Sequence, residues 1–381
     1  MIRRSIIGIS PVLSMTIGDA AVDYNSINNV IIDLKVGSHD LCEITMVGIP
    51  APYVTEYIGK SVYVKMDSGP SYVTEFHGTI EKASPTANTA DGTVNRSLLQ
   101  EVVFVCLGVS YRMIGTTNMV WTNYSLEEVA RKFCKTYELS LDVPNDPVVF
   151  GNLTQSNESD WQFISRYADI MGYAVTVHGT HMHIFDPHRV AGRNISFHNI
   201  NTITRTGTEP HPGQITSFDG KFARLTADGT YIDATTTVHT DSGKVFNVNT
   251  SDIEKLDKAG EILTSLSTAV NTYDQAERLL KATRRDEYDY SAEVTTIGLL
   301  GVLPGGVVNL DRYDGTFDGL WYVDGVRHYL RTGMFVTTLN LFKNNIDTLV
   351  DTSISPYTVP PAPKFVTDKW VSSLRTVNVY S

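Results

Sequence analysis

The sequence of residues 154–173 is TQSNESDWQFISRYADIMGY, and this short segment carries a complete helix signal. Ser159 is followed three positions later by Gln162, the spacing of a capping box in which each side chain binds the other residue's backbone amide. An apolar stripe then recurs at steps of three and four residues, at Trp161, Ile164, Ala168 and Met171. Gly172 follows where a left-handed residue ends a helix. The segment predicts an amphipathic helix, and we interpret Trp161 as a core residue rather than a partner anchor because it continues the stripe.

The residues on either side extend this helix into a small unit. Ser125 and Glu128 form a second capping box. It opens another apolar stripe, at Leu126, Val129, Ala130, Phe133, Cys134 and Tyr137. Beyond the second helix, Tyr173 to Val177 and Met182 to Phe185 have strand composition and are joined around Gly179. We expect two helices and a hairpin, which together form an α/β module spanning residues 119–190.

Residues 154–173 resemble a segment of phage baseplate hub proteins of the late control gene D family and of the base of type VI secretion spike proteins. A second region is similar to the closing barrel of the same family, at Gly298, Pro304, Gly305, Gly319, Trp321, Val323, Val326, His328 and Thr337 to Leu341. The two matches occur in the expected order along the chain. The resemblance implies an α+β, mainly β fold in which two tail-tube-like β-barrel domains flank a small α/β domain.

The pattern of strand candidates and turns predicts where each domain begins and ends. Strand candidates in the first part are Val30 to Val36, Asp40 to Val47, Ser61 to Met66, Tyr72 to Ser84 and Gln100 to Val109. The predicted domains are an N-terminal barrel at 1–118, the α/β module at 119–190, a second barrel with a helical insertion at 191–343, and an extended C-terminal tail at 344–381.

The sequence also predicts loops, turns, two helical segments and the course of the C-terminal tail. Residues 84–92 have the composition of an exposed loop, and turn signals occur at Asp219-Gly220, Asp228-Gly229, 241–243 and 303–306. Helical patterns cover Asp252 to Thr268 and Tyr273 to Arg284, and strands resume from Tyr288 to Phe342. The proline-rich tail is expected to follow an extended course, either docked on a neighbour through Trp370 and Leu374 or frayed as a free terminus.

Composition restricts the class of protein. With 381 residues, 42% hydrophobic and 19% charged, the chain has the composition of an ordered globular protein of two or three domains. The chain contains no apolar run of about 18 residues, so we expect no stable membrane insertion. The apolar stretch near its first residues is too short for a secretory signal, so we expect assembly to take place in the host cytoplasm. The cysteines Cys42, Cys106 and Cys134 are predicted to be free buried thiols.

The formal net charge of −11 argues against a protein that grips nucleic acid, because that affinity comes mainly from lysine and arginine. An acidic chain is compatible with lining a channel through which DNA slides without sticking. We therefore expect contact with DNA only in passage.

The metal-like pattern in the sequence is His178-x-x-His181-x-His183. Residues two apart on a strand share a face, so His181 and His183 could reach one ion, with His178 across the turn. No cysteine or paired carboxylate stands nearby to complete a shell, so solvated hairpin histidines are the favoured interpretation and we assign no metal ligands, leaving ion binding open. His328 lies in a strand, and its match to the family pattern predicts a buried, hydrogen-bonded structural histidine.

No catalytic or cofactor-binding residues are predicted. Paired carboxylates occur at Glu127/Glu128, Asp286/Glu287 and Asp311/Asp314, but nothing in the sequence holds a pair across a sugar cleft. The chain lacks a nucleophile elbow, a phosphate-binding loop with lysine and a His-Glu-x-x-His helix. We expect no enzyme activity and no cofactor.

The resemblance implies a late structural protein of a phage tail tip or baseplate. It implies a homotrimeric adaptor that joins a six-fold tail tube to a three-fold spike or fibre and forms part of the DNA ejection channel. Its expected partners are tail tube and distal tail proteins, a central spike or fibre and the tape measure protein. The alternative is a tail-associated cell-wall hydrolase or carbohydrate-binding component. The base of a secretion spike shares the expected fold, but the chain contains no long β-helical needle region.

Overall fold

The computed structural model describes residues 11–49, 51–68, 73–86, 101–149, 152–187, 201–204, 211–222, 233–239, 245–249, 262–265, 290–311 and 317–343. In chain order the strands of the first part are β1 (Val12–Ile17), β2 (Ala20–Ala21), β3 (Ile27–Lys35), β4 (Leu41–Val47), β5 (Ser61–Asp67), β6 (Val73–Thr86) and β7 (Glu101–Gly108). The middle part contains β8 (Thr116–Thr122), α1 (Leu126–Tyr137), β9 (Ser140–Asp142), β10 (Asn152–Ser159), α2 (Asp160–Ile170), β11 (Ala174–His178) and β12 (His181–Phe185). The last part contains β13 (Asn201–Thr204), β14 (Ile215–Phe222), β15 (Asp233–His239), β16 (Val245–Asn249), β17 (Ile262–Ser265), β18 (Tyr290–Ile297), β19 (Val307–Asp311), β20 (Gly319–Arg331) and β21 (Met334–Lys343).

The fold is mainly β, as predicted, and its largest element is a 13-stranded sheet. From one edge the strand order is β14-β18-β21-β20-β3-β4-β7-β6-β5-β1-β2, with β19 beside β20 and β13 beside β19. Strands from both ends of the chain therefore belong to one sheet. The strand candidates of the N-terminal region are confirmed as β3 to β7, where alternating side chains are buried as a half-buried sheet requires.

The sheet consists of two halves that repeat one topology. The first half contains β1 and β3 to β7, and the second contains β13, β14 and β18 to β21. When the six strands of each half are numbered in chain order, both halves have the order 2-3-6-5-4-1 across the sheet. One detail differs, because β1 pairs with β5 antiparallel whereas β13 pairs with β19 parallel.

The two halves also share their irregularities. A register shift in the β6–β7 pair lies between Ile80 and Lys82, and the corresponding shift in the β20–β21 pair lies between Val323 and Gly325. The second and third strands of each half are likewise irregular near the start of the second strand, in the β3–β4 and β14–β18 pairs. A β-bulge fixes register and local twist. Shared bulges therefore align the two halves residue by residue.

The α/β module lies between the two halves in the chain. Helices α1 and α2 pack on the three-stranded sheet β11-β12-β9, and β8 pairs with β10 beside them. Both predicted capping boxes are confirmed, at Ser125 with Glu128 and at Ser159 with Gln162. Trp161 is buried in the core of this module, as predicted.

The ends of the two helices differ. Gly172 has the expected positive φ of 78° after α2. Helix α1 instead ends at Glu138, a non-glycine residue with φ 58° whose backbone amide donates to Cys134. No glycine marks this helix end in the sequence, because the left-handed conformation is adopted here by a residue that rarely favours it.

Two local predictions are wrong where the structure describes them, and the predicted loop at 84–92 is wrong at its first three residues. Asp219-Gly220 is not a turn but lies inside β14. Glycine suits that strand because a Cβ at Gly220 would lie 2.5 Å from the Phe218 ring and 2.9 Å from the Phe317 ring. Residues 262–265, predicted as part of a helix, form β17, which pairs in parallel with β15. Pairing with a distant strand overrides the local helical pattern here.

The other local predictions are confirmed, corrected in part, or concern residues that the structure does not describe. The turn at 303–306 is confirmed by a hydrogen bond from Gly306 N to Leu303 O and by a φ of 84° at Gly305. Residues 84–86 belong to β6 rather than to a loop. The remaining local predictions concern residues outside the described ranges, namely 87–92, Asp228-Gly229, 241–243, 252–261, 266–268, Tyr273 to Arg284 and the tail 344–381.

The three cysteines are free and buried, as predicted. Cys42 and Cys106 lie opposite each other in the β4–β7 register. Burial raises the pKa of the Cys106 thiol to about 12, so it stays protonated and behaves as a small apolar side chain. None of the helices that the structure describes is long and apolar enough to cross a membrane.

Candidate assembly edges and a histidine cluster

The two half-sheets meet where β20 pairs with β3. Residues Gly325 to Arg331 of β20 run antiparallel to Asn29 to Lys35 of β3, over seven residue pairs. The first part of β20 pairs on the same side with β19, inside its own half. We call the β20–β3 pairing the internal seam. One strand therefore supports its own half at its start and contacts the other half at its end.

A fully buried histidine lies at the internal seam. His328 is opposite Ile32 of β3, and its ring nitrogens lie 3.0 Å from Thr337 Oγ1 and 3.3 Å from Thr74 Oγ1. Thr337 Oγ1 donates to Leu299 O, so its hydroxyl proton is committed. His328 Nδ1 must then donate to Thr337, and Nε2 must accept from Thr74. These hydrogen bonds link β20 and β21 of the second half to β6 of the first.

This geometry fixes the charge state of His328. Both ring nitrogens are used by a neutral imidazole, and burial lowers the pKa of His328 to about 3. The predicted burial and hydrogen bonding of this residue are confirmed. Near it, Arg327 lies opposite Asp33 across the seam. Burial raises the pKa of Asp33, and the positive charges of Arg327 and Lys35 oppose that shift.

Two strand edges correspond to the seam but have no partner strand in the described part of the chain. In the first half, β6 is equivalent to β20. Its pairing with β5 ends at Thr79, and Ile80 still exchanges backbone hydrogen bonds with Gly59 and Lys60. From Glu81 to Thr86 the described strand neighbour is β7 alone. In the second half, β14 is equivalent to β3, and it pairs only with β18. We call these the β6 edge and the β14 edge. Exposed residues lie on both, at Glu81, Lys82 and Pro85 and at Ser217, Asp219 and Lys221.

The histidines of the hairpin lie on one face of the β11-β12-β9 sheet. In register, His178 is opposite His181 and Thr176 is opposite His183. The parallel strand β9 places Ser140 beside His181 and Asp142 beside His183. Directly opposed residues point to the same face of a sheet. The structure therefore brings the three histidines together on one face of the sheet with a carboxylate. The interpretation of these histidines as solvated is wrong for His178 and His183, which are buried because this face packs inside the molecule.

The histidines then divide into two groups. His178 Nδ1 lies 2.9 Å from Asp40 Oδ1, and both residues are buried where the module meets the first half-sheet. Burial raises the pKa of Asp40, and His178 opposes that shift. His181 and His183 instead approach Asp142, with one potential ligand atom of each within 4.8 Å of the others.

Asp142 was missed by reasoning from the sequence. Sequence spacing indicates only ligands near the hairpin, and Asp142 is about forty positions away along the chain. Only the parallel pairing of β9 with β12 places it beside His183. The alternation of polar and apolar residues from Leu139 to Val143 is a strand signal that could have directed attention there.

Where the structure describes them, the paired carboxylates of α1 make contacts within that helix. Glu127 binds Arg131 one turn along α1, and Glu128 caps the same helix. Asp311 lies in β19, while Asp314, Asp286 and Glu287 fall outside the described residues. A cleft of about 280 Å³ between the first half-sheet and the module has Glu138 as the carboxylate in its lining. Glycosidic cleavage needs two.

The fold is similar to solved structures of tail proteins. The tail protein from Neisseria meningitidis MC58 has a TM-score of 0.64 and 13% identity, covering 89% of this chain and 98% of that one. The 43 kDa tail protein of prophage MuSo2 from Shewanella oneidensis has a TM-score of 0.61 and 13% identity, with coverages of 88% and 98%. The E. coli c3393 protein, a type VI secretion component described as similar to the T4 tail proteins gp27 and gp5, has a TM-score of 0.55 and 10% identity, with coverages of 91% and 80%.

These likenesses establish a shared fold. The Alg8 N-terminal domain family matches residues 93–204, which is less than a third of the chain and does not assign the whole chain to that family. No curated protein matches.

Proposed function

We propose that this protein is a structural tail hub of a phage or phage-like injection particle, a homotrimeric adaptor between a six-fold tail tube and a three-fold spike or fibre. The proposal is supported by the repeated half-sheet topology, in which one seam is used inside the chain and its two counterpart edges have no partner strand among the described residues. The likeness to phage tail and type VI secretion proteins supports the same interpretation. In this proposal each half-sheet closes as one tube-like barrel, within the domains 1–118 and 191–343.

The internal seam supplies a template for contact between copies. When the strands are aligned at their bulges, β6 takes the place of β20 and β14 takes the place of β3. The seam register then predicts that Ala83, Ser84, Pro85 and Thr86 of one copy lie opposite Phe222, Lys221, Gly220 and Asp219 of the next. Such a contact joins two different surfaces, so it forms either a closed ring or an open filament. Three copies that each supply two similar halves give a six-fold outline.

The composition of the edges fits controlled assembly. Glu81, Lys82, Asp219 and Lys221 carry mixed charges. Pro85 removes one backbone donor from the β6 edge. Charged residues and proline on an edge discourage pairing with unrelated strands. We propose that this restricts pairing to the matching edge of another copy.

The remaining parts of the proposal follow from this role. The protein would be located in the virion tail tip after assembly in the host cytoplasm. Its partners would be tail tube and distal tail proteins, the central spike or fibre and the tape measure protein, with the tail 344–381 as a further contact. DNA would only pass through, which the net charge of −11 favours. The work consists of recognition and sealing by surface complementarity, so we propose no enzyme activity and no cofactor.

A cysteine cross-linking experiment tests the predicted register. The variant Ser84→Cys/Lys221→Cys is treated with a short bismaleimide. This reagent does not reach the three native thiols, because they are buried. We expect covalent species up to three times the chain mass of 42.2 kDa and no larger. Arg327→Cys/Asp33→Cys, placed across the internal seam, is the positive control for geometry and must link within one chain.

A mismatched pair provides the negative control. In Ser84→Cys/Ser217→Cys the second thiol lies four residues out of register on the same edge, so linking should fall at least several-fold. Equal linking of both pairs, an unlimited ladder, or no linking between chains at any concentration would contradict the proposed ring. A turbidity assay on purified peptidoglycan tests the alternative function, and we expect no clearing.

A further inference from the structure

We propose that Asp142, His181 and His183 form a binding site for a divalent transition metal ion, for which Zn²⁺ is the best fit. One potential ligand atom from each residue lies within 4.8 Å of the other two. Two imidazoles and a carboxylate are a ligand set that Zn²⁺ accepts, whereas Mg²⁺ and Ca²⁺ prefer oxygen ligands alone. The inference does not depend on the proposed assembly, because all three ligands belong to the α/β module.

The spacing suits a four-coordinate ion. Bonds of about 2.0–2.1 Å at tetrahedral angles place two ligand atoms about 3.4 Å apart. His183 Nδ1 and Asp142 Oδ2 are 3.2 Å apart. His181 and Asp142 are only half-buried, so rotation of their side chains can close the wider separation without moving a strand. The fourth position of a tetrahedral ion would be left for a water molecule.

The neighbouring residues hold the two imidazoles in place. The His183 ring stacks on Phe185 with centroids 4.8 Å apart, and it is nearly parallel to the His181 ring. Ser140 Oγ donates to Thr180 O, so His181 Nδ1 donates to Ser140 Oγ at 2.7 Å. That tautomer puts the lone pair of His181 on Nε2. A hydrogen bond to the second nitrogen is how metal-binding histidines are usually oriented.

A second observation comes from buried polar atoms on the same face of the sheet. Thr176 Oγ1 and His178 Nε2 are both buried without a hydrogen-bond partner. Thr176 lies opposite His183 and His178 lies opposite His181. Buried polar groups are normally satisfied. A cation with its bound water would supply partners to this face, which an Asp142–His183 ion pair alone does not do.

Zn²⁺ titration of the full chain after chelator treatment tests the site. We expect one ion per chain by calorimetry, and visible absorption of the tetrahedral type when Co²⁺ replaces Zn²⁺. His181→Ala and Asp142→Ala are chosen because both side chains are partly exposed, so the fold should be retained, as circular dichroism can verify. Each should weaken Zn²⁺ binding at least tenfold and abolish the rise in Tm that Zn²⁺ gives the unaltered chain.

His211→Ala is the matched control, since His211 is a half-buried histidine outside the α/β module. It should leave binding unchanged. The proposal is overturned if the unaltered chain binds no Zn²⁺ below millimolar concentration. It is also overturned if His181→Ala and Asp142→Ala bind as tightly as the unaltered chain, because the ion would then lie elsewhere.

Discussion

The two half-sheets reach the same strand order and the same bulge positions with different connections. In the first half, β3 and β4 are joined by a short turn, whereas in the second half the equivalent strands β14 and β18 are separated by 67 residues that include β15, β16 and β17. Insertions at this connection leave the pairing of the half-sheet intact. The comparison shows that a half-sheet is defined by its ladder of hydrogen bonds and its buried face, and tolerates large additions at its edge.

The halves differ most in what lies on their equivalent edges. The end of β20 is covered by β3, and its buried residue His328 is hydrogen bonded. The equivalent residue of β6 is Pro85, which is exposed. Among the described residues, one topology thus presents a completed seam in one place and an edge without a partner strand in the other. The following predictions test how far this equivalence extends.

The largest expected effect is the pH dependence caused by His328. The pKa of His328 in the folded chain is about 3, below the ordinary histidine value of 6.5. The unfolded chain therefore takes up the proton first as the pH falls. The contribution of His328 to the free energy of unfolding is fully present above about pH 6.5. It is lost progressively toward pH 3, by up to about 5 kcal/mol. Urea denaturation across this range should show the loss.

A substitution distinguishes the effect of His328 on stability from the effect of carboxylates that titrate in the same pH range. His328→Gln should be less stable at neutral pH, and its stability should fall less steeply between pH 6.5 and 4. If the two slopes are equal, His328 does not remain neutral in the folded chain and the hydrogen-bond assignment is wrong.

Equivalent core positions should respond alike. Phe104 of β7 aligns with Leu339 of β21, and both are fully buried. Phe104→Ala and Leu339→Ala should each lower the free energy of unfolding by about 2–5 kcal/mol through lost burial and cavity formation. Chemical denaturation measures both. A cost below 1 kcal/mol at either position would show that the halves do not share a packed layer.

A smaller effect is expected where the halves use different residues at an equivalent place. Gly220 of β14 aligns with Ile32 of β3. A methyl group at Gly220 would meet the Phe218 and Phe317 rings, so Gly220→Ala should cost about 1–3 kcal/mol through overpacking. The Tm from calorimetry should fall accordingly. Gly115→Ala is the control, since an added Cβ there meets no atom within 4 Å.

The smallest effect is expected at the open edge. Pro85→Ala should change the free energy of unfolding of the isolated chain by less than about 0.5 kcal/mol, because the residue is exposed and its strand neighbour in the described part of the chain is β7 alone. Denaturation at low protein concentration, where chains do not associate, measures this. A loss comparable to that of His328→Gln would mean that the β6 edge is already covered within one chain.

The elements that the sequence predicted well have signals that are short in range. Both capping boxes, the turn at 303–306 and the hairpin around Gly179 depend on residues three to six positions apart. The elements predicted wrongly depend on distant contacts. Gly220 in β14 is set by the Phe317 ring, and residues 262–265 are set by pairing with β15. The same limit hid Asp142 from the histidine cluster.

The amino-acid sequence by itself determined the helices of the α/β module and the strand content, because periodicity and side-chain polarity act within each segment. The burial of Cys42 and Cys106 was predicted from the number and spacing of the cysteines, and the burial of His328 from the family resemblance. Only the tertiary structure decided that β20 pairs with β3, about 300 residues away along the chain, and that Asp142 lies beside His183. An alternating strand can pair equally well with many others. The choice among them is made when the whole sheet buries its face, and that is a property of the folded chain.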